Sequence, residues 1–152
     1  MAAEKGFTTD AQGRVKLPFT LAAGIYRVML ETQDRFGRKV TARQPLQVFD
    51  PAAPRLASRI PHVLASPAWT VEPGQEFVAL WGTGYDQGRA FVELESDGKT
   101  LQRYWTAPDV TQSRIELPVT ESMRGGFTLS ITYVRQNRSY VTQRVVEVPW
   151  SN

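Results

Sequence analysis

The sequence predicts an all-β chain: a complete β-sandwich of the immunoglobulin or fibronectin type III kind, preceded by a partial β-sandwich sheet. Three observations predict it. Apolar and polar residues alternate with period 2 through most of the chain, and helical periodicity is nearly absent. In the second stretch, turn signals recur every ~8–12 residues, the spacing of a sandwich. Cysteine is absent, so the Cys…Trp…Cys pattern of a true immunoglobulin domain is missing.

Residues 1–50 read as three strands, or four if residues 6–9 contribute. In the first, Val15, Leu17 and Phe19 alternate with Arg14, Lys16 and Pro18. Gly24 opens the second, with Tyr26, Val28 and Leu30 on one face. Asp34-Arg-Phe-Gly37 is a turn, because Asp bonds the backbone ahead of it and Gly accepts a positive φ. In the third, Val40, Ala42, Leu46 and Val48 are in phase, and Pro45 marks an edge or a bulge because it cannot donate to a ladder. Three strands make half a sandwich, so residues 1–50 are expected to be the C-terminal part of a β-domain. Its apolar face is expected to be covered by a second copy of the chain, as a homodimer through the incomplete N-terminal sheet, or by the following module.

Asp50-Pro-Ala-Ala-Pro54 reads as an exposed, extended linker, assigned to residues 51–57. Residues 58–152 read as a complete seven-stranded sandwich. A weak strand lies in 60–71, and Glu72-Pro-Gly74 is a turn. Phe77 to Trp81 is apolar on both faces, as a central strand is. Gly82-Thr-Gly-Tyr-Asp-Gln-Gly88 is a loop. Ala90, Val92 and Leu94 form the next face, and Ser96-Asp-Gly98 is a hairpin turn. Leu101, Arg103 and Trp105 are placed on one face of the following strand, with Tyr104 on the other. Ile115, Leu117 and Val119 alternate, as do Phe127, Leu129, Ile131 and Tyr133 after Gly125-Gly126. Gln136-Asn-Arg138 turns the chain. Val141 and Val146 are out of phase in the last strand, which predicts a bulge near Gln143–Val145.

Composition removes most enzyme chemistry. The 152 residues are 41% apolar and 22% charged, the make-up of a globular chain with a core. Without cysteine there is no disulfide, thiolate–zinc site or thiol nucleophile, and one histidine, His62, rules out a histidine cluster. No signal peptide stands at the start of the segment. The net charge of +3 arises in residues 1–50, where eight Lys/Arg face five Asp/Glu. Arg14, Lys16, Arg27, Arg35, Arg38, Lys39 and Arg43 are scattered, which reads as the solvated side of a sheet rather than a nucleic-acid patch.

The sequence resembles the macroglobulin domains of the bacterial alpha-2-macroglobulin family. One part of the resemblance is Leu21-Ala-Ala-Gly-Ile-Tyr-Arg-Val followed by Glu31-Thr-Gln-Asp-Arg-Phe-Gly37, similar to the end of a family module. The other includes Pro73-Gly74, the Gly-Thr-Gly loop at 82–84, Arg124-Gly-Gly-Phe127, Asn137-Arg-Ser-Tyr140 and Val148-Pro-Trp-Ser-Asn152. The resemblance implies macroglobulin-type sandwiches from a large secreted or membrane-anchored, protease-trapping protein of the bacterial periplasm or cell envelope. The partners it implies are neighbouring domains of that parent, and proteases only through the full-length parent. The family's thioester sits in a Cys-Gly-Glu-Gln setting that this chain lacks.

No residue is assigned a catalytic, cofactor, metal or thioester role. The Gly82–Gly88 loop resembles a phosphate loop, yet a strand, not a helix, follows it, and Arg89-Ala90 stands where a P-loop has Lys-Ser/Thr. Glu93 and Glu95 share a strand face nearly 7 Å apart by strand rise, about a glycosidase spacing, but they lie opposite the Ala90–Leu94 face and read as solvated. Asp86, Asp97 and Asp109 fall in separate turns. His62 is expected to be exposed or between modules. The rival reading is a carbohydrate-binding or adhesive sandwich, carried by Trp69, Trp81, Tyr85, Tyr104, Trp105 and Trp150. Against it, Trp81 is expected in the core and Trp69 and Trp150 at module junctions.

Overall fold

The computed structural model describes residues 2–34 and 36–150. Arg35 and the Ser151-Asn152 end of the Val148–Asn152 motif lie outside the described residues. The chain divides into two compact units, Met1–Asp50 and Pro51–Asn152. Both are all-β.

Among the described residues of the first unit, two strands form where three were expected: β1 (Gly24–Gln33) and β2 (Lys39–Val48), paired antiparallel without a register shift from Gly24↔Val48 to Gln33↔Lys39. The turn between them is set by Asp34, whose carboxylate accepts the N–H groups of Phe36 and Arg38, with Gly37 at φ +78°. Pro45 is accommodated opposite Arg27 on an edge strand, without a bulge. Tyr26, Val28 and Leu30 share one face with Leu46, Ala42 and Val40. Val28, Leu30, Val40 and Leu46 are exposed.

The strand expected over Val15–Phe19 does not form. The turn before it does: Asp10 accepts from the N–H groups of Gln12 and Arg14, with Gly13 at φ +74°, as in the Asp34 turn. The arms lie near each other, with Lys5 bonded to the Pro18 carbonyl and 5.1 Å from the Phe19 ring. Pro18 contributes no donor, and no ladder closes.

The second unit is a sandwich of two antiparallel sheets. One has the order β3-β4-β7 (Val63–Ala65, Glu76–Gly82, Gln112–Pro118). The other has the order β6-β5-β8-β9 (Lys99–Trp105, Ala90–Ser96, Phe127–Arg135, Arg138–Val146). This three-plus-four division is the fibronectin type III arrangement. Phe77, Ala79 and Trp81 of central β4 and Ile115 and Leu117 of β7 face Val92, Leu94, Leu129, Ile131, Tyr133 and Val146 across the core. Each fully buried large side chain there contributes about 1.5–3 kcal/mol. A single-residue parallel bridge, Thr70↔Glu147, ties the start of the unit to the end of β9.

The turns follow their residues. Gly74 at φ +86° and the bond from Gln75 N–H to the Glu72 carbonyl make the Pro73-Gly74 turn. Asp97 and Gly98 both have positive φ, as a two-residue hairpin demands, and so do Gln136 and Asn137.

The expected bulge in β9 is absent: its register with β8 is unbroken from Phe127↔Val146 to Arg135↔Arg138. Tyr140, Thr142 and Val146 all face inward, and Val141 and Val145 are outward valines on an exposed face. The bulge lies instead between β5 and β6, beside Leu94/Glu95, where Leu101 is the extra residue. It resets the phase of β6, so Leu101 and Tyr104 both pack on the core while Arg103 and Trp105 face outward. Leu101 and Trp105 therefore do not share a face, contrary to the strict alternation read from sequence.

Residues 51–57 are not an extended linker. Pro51 and Ala52 form a turn, and from Ala53 the chain is bound along the sandwich. The Pro54 carbonyl accepts from the N–H groups of Thr111 and Gln112, the Gln112 side-chain amide donates to the Ala53 carbonyl, and Leu56 N–H donates to the Thr111 hydroxyl.

Candidate functional site

A cluster of polar and aromatic side chains gathers at one end of the sandwich. Four stretches of chain build it: a strap over residues 58–62, the end of β4 with the loop to Gly88, the end of β8, and β9. His62 was expected to be exposed or between modules. It is half-buried inside this unit, because the strap lays it between the two sheets.

The indole N–H of Trp81 donates to His62 Nδ1 at 3.2 Å. An indole nitrogen is a donor only, so Nδ1 carries a lone pair and the proton of the neutral ring sits on Nε2. Nε2 then donates to the Thr142 hydroxyl at 2.7 Å. The imidazole stacks on Tyr140, with centroids 6.0 Å apart and planes 12° apart. Burial pushes the His62 pKa below its ordinary value, since the charged form loses hydration.

The tyrosines continue the cluster. Tyr133 stacks on Tyr140 at 5.8 Å and meets Trp81 edge-on at 5.4 Å. The hydroxyls of Tyr85 and Tyr140 are 3.3 Å apart, and this hydrogen bond is the first cause of a raised Tyr85 pKa. The Tyr85 phenol therefore stays protonated at neutral pH.

The Gly82–Gly88 loop owes its glycines to close approach, not to an anion. A Cβ on Gly84 would stand 2.6 Å from the Ser58 carbonyl oxygen and 2.7 Å from Arg59 Cα. One on Gly88 would stand 2.5 Å from the Tyr133 ring. The strap is bonded at that point: Gly84 N–H to the Ile60 carbonyl and the Thr83 hydroxyl to the Pro61 carbonyl, both at 2.7 Å. Arg59, Ile60, Pro61, Gly84 and Tyr85 line a shallow hollow of about 300 Å³ there.

A second region is the outer face of the four-stranded sheet. Trp105 is 54% exposed and packs against Phe91 at 5.0 Å, with the Arg89 guanidinium 5.6 Å from its ring centroid. Val134, Val141 and Val145 are exposed on the same face. Glu93 lies there too, paired with Arg103 at 3.2 Å, whereas Glu95 is exposed beyond the bulge. The two carboxylates thus have different surroundings. Asp86, Asp97 and Asp109 are exposed and in separate turns, and no group of three metal-ligating side chains forms among the described residues.

The remaining aromatics of the rival reading are dispersed. Trp81 is wholly buried. Trp69, expected at a module junction, packs within the second unit on Phe77 at 6.0 Å, with Arg144 5.9 Å from its ring. Trp150 is exposed and lies against Gly125. The sequence reading missed the His62–Trp81–Tyr140 arrangement. A lone histidine after Pro61, a tryptophan nineteen residues on and a tyrosine near the chain end share no local pattern.

No family model matches the chain, and no curated protein matches it. Among solved structures, the chain is similar to the crystal structure of the rat CD45 extracellular region, domains d3–d4. The identity is 8% and the TM-score 0.34, over 94% of this chain and 75% of that one. No helix among the described residues is long and apolar enough to cross a membrane.

Proposed function

We propose that the chain is a pair of non-catalytic β-modules from a larger extracytoplasmic protein of the alpha-2-macroglobulin type, with the job of spacing and orienting neighbouring domains. The observation that carries the modular reading is the β1–β2 sheet. Its face of Tyr26, Val28, Leu30, Val40, Ala42, Leu46 and Val48, shared with Thr32 and Gln44, has no charged residue, and Val28, Leu30, Val40 and Leu46 are exposed. A two-stranded sheet with an apolar face needs a facing layer, and a sandwich supplies one. On this reading residues 1–50 are the C-terminal part of one macroglobulin-like domain, and the sandwich that follows is its complete neighbour. The alpha-2-macroglobulin assignment, the bacterial envelope location and the link to protease trapping rest on the sequence resemblance alone.

The test is the sequence flanking residues 1–152 in the full-length protein. The reading expects sandwich strands immediately before residue 1, a secretion signal further upstream and a bait or thioester segment downstream. Flanking sequence with helical periodicity and none of these features overturns it. In the isolated chain, the exposed face is expected to bind a hydrophobic dye or to self-associate at micromolar concentration. A strict monomer that binds no dye counts against an uncovered module.

One observation favours a second reading, a sugar-binding face: Trp105 beside Phe91 on an exposed sheet. Retention on immobilised polysaccharide that is lost in Trp105→Ala supports that reading. No retention of the parent chain removes it.

A further inference from the structure

His62 is the side chain of the second unit whose ordinary pKa lies nearest neutrality, and the structure uses its neutral form. One ring nitrogen accepts from β4 through Trp81, and the other donates to β9 through Thr142. The groups around it come from five stretches of chain. Trp81 on β4 does not titrate. On β9, Tyr140 stacks on the ring, and Arg138 and Arg144 stand further along the same strand face, Arg144 directed to Trp69. The loop after β4 contributes Tyr85 and exposed Asp86, and β8 contributes Tyr133. Arg59 is exposed within the strap itself. Among the described residues, no carboxylate is a ring or hydrogen-bond partner of His62 that would hold an imidazolium in place.

We propose that His62 is an acid-released clasp that fastens strap 58–62 to both sheets while neutral and gives up Trp81 when protonated. A proton on Nδ1 sets an N–H against the indole N–H 3.2 Å away. The acceptor is lost, and Trp81 is wholly buried, so no water replaces it without a rearrangement. The imidazole then turns out of the cluster toward solvent. The next fastenings of the strap are Pro61 to Thr83 and Ile60 to Gly84, and they take the disturbance first. The direction in pH follows from linkage. The folded-state pKa lies below the unfolded value of 6.5, so the clasp is whole above that pH and weakens as pH falls from 6.5 toward the folded pKa.

The test is amide-exchange protection of the full chain, compared with His62→Asn between about pH 8 and about pH 5, the range in which histidine titrates. Asparagine places an acceptor oxygen near the Nδ1 position and does not titrate. In the parent chain, protection of the Gly84 amide, corrected for intrinsic exchange, is expected to fall below pH 6.5 by up to about tenfold per pH unit, the limit for one linked proton. The Asn variant is expected to stay level. Nitrogen-15 NMR of the parent chain is a second arm that needs no variant, and the proposal expects an unprotonated Nδ1 at neutral pH and a titration midpoint below 6.5. A Nδ1-protonated tautomer at neutral pH, a midpoint at or above 6.5, or identical pH responses in the two proteins overturns the proposal.

Discussion

Hairpin β1–β2 pairs ten residues with ten across the Asp34 turn, and hairpin β8–β9 pairs nine with nine across Gln136 and Asn137. Neither has a register break, and each keeps a row of apolar residues on one face of its first strand. In β8 the inward row of Phe127, Leu129, Ile131 and Tyr133 is buried. In β1 the matching row is Tyr26, half-buried, then Val28 and Leu30, both exposed. Turn chemistry and alternation are local and suffice to shape either hairpin. Burial comes from a facing sheet, which β3-β4-β7 supplies to β8 within its own unit.

The sharpest break of this contrast is a pair of truncations. Trp81→Ala in the facing sheet is expected to cost about 3–5 kcal/mol of unfolding free energy in denaturant titrations. Leu30→Ala, in an open face, is expected to stay within about 0.5 kcal/mol. Equal losses would mean that the β1 face is covered in solution. Next is Gly84→Ala, which drives a Cβ into the strap backbone. An overpacked site of this kind costs about 1–3 kcal/mol, read as a shift in the same titration. A variant as stable as the parent would show that the strap yields freely.

A smaller effect is expected from Asp34→Ala. Two backbone N–H groups lose a carboxylate acceptor at an exposed turn, a change of about 1 kcal/mol. Hydrogen exchange should report it in β1 and β2 and leave β8 unaltered. The smallest is Arg103→Ala. Its partner Glu93 is 27% exposed and Arg103 itself 53%, so solvent screens the pair and about 0.2–1 kcal/mol is at stake. A larger loss would show that Arg103 also supports the Phe91–Trp105 packing.

Much of the second unit was legible in the sequence because its signals are local. Asp97-Gly98, Pro73-Gly74 and the alternation of Phe127–Tyr133 each state their structure within a few residues. The β6 bulge was not legible, since the extra residue at Leu101 is defined only by which residue of β5 faces it. The supposed β9 bulge failed for a related reason: Val141 and Val145 look like core residues until the outer face of that sheet is known to carry valines. Val15–Phe19 has the alternation of a strand and a well-formed turn ahead of it, but Pro18 and the absence of a closed ladder leave it unpaired. In the candidate site, the purpose of Gly84 and Gly88 depended on what lies above them, and the role of His62 depended on residues up to eighty positions away.

The parallel bridge at Thr70↔Glu147 has a mechanical consequence. Val71 N–H donates to the Glu147 carbonyl, Glu147 N–H donates to the Trp69 carbonyl, and the Thr70 hydroxyl donates to the Glu147 carboxylate. The two segments run the same way, one early in the unit and one near its end. Once the Ala53–Leu56 and strap 58–62 bonds on the incoming side are passed, tension applied through the chain pulls them in opposite directions along a shared axis. These bonds are loaded together in shear and do not peel apart one after another. Just beyond them, Gly125 N–H holds the Val148 carbonyl and Arg124 holds that of Pro149, so the outgoing chain is anchored before force reaches β9. On the outgoing side, resistance to stretching in the second unit is thus placed at its rim, ahead of the core.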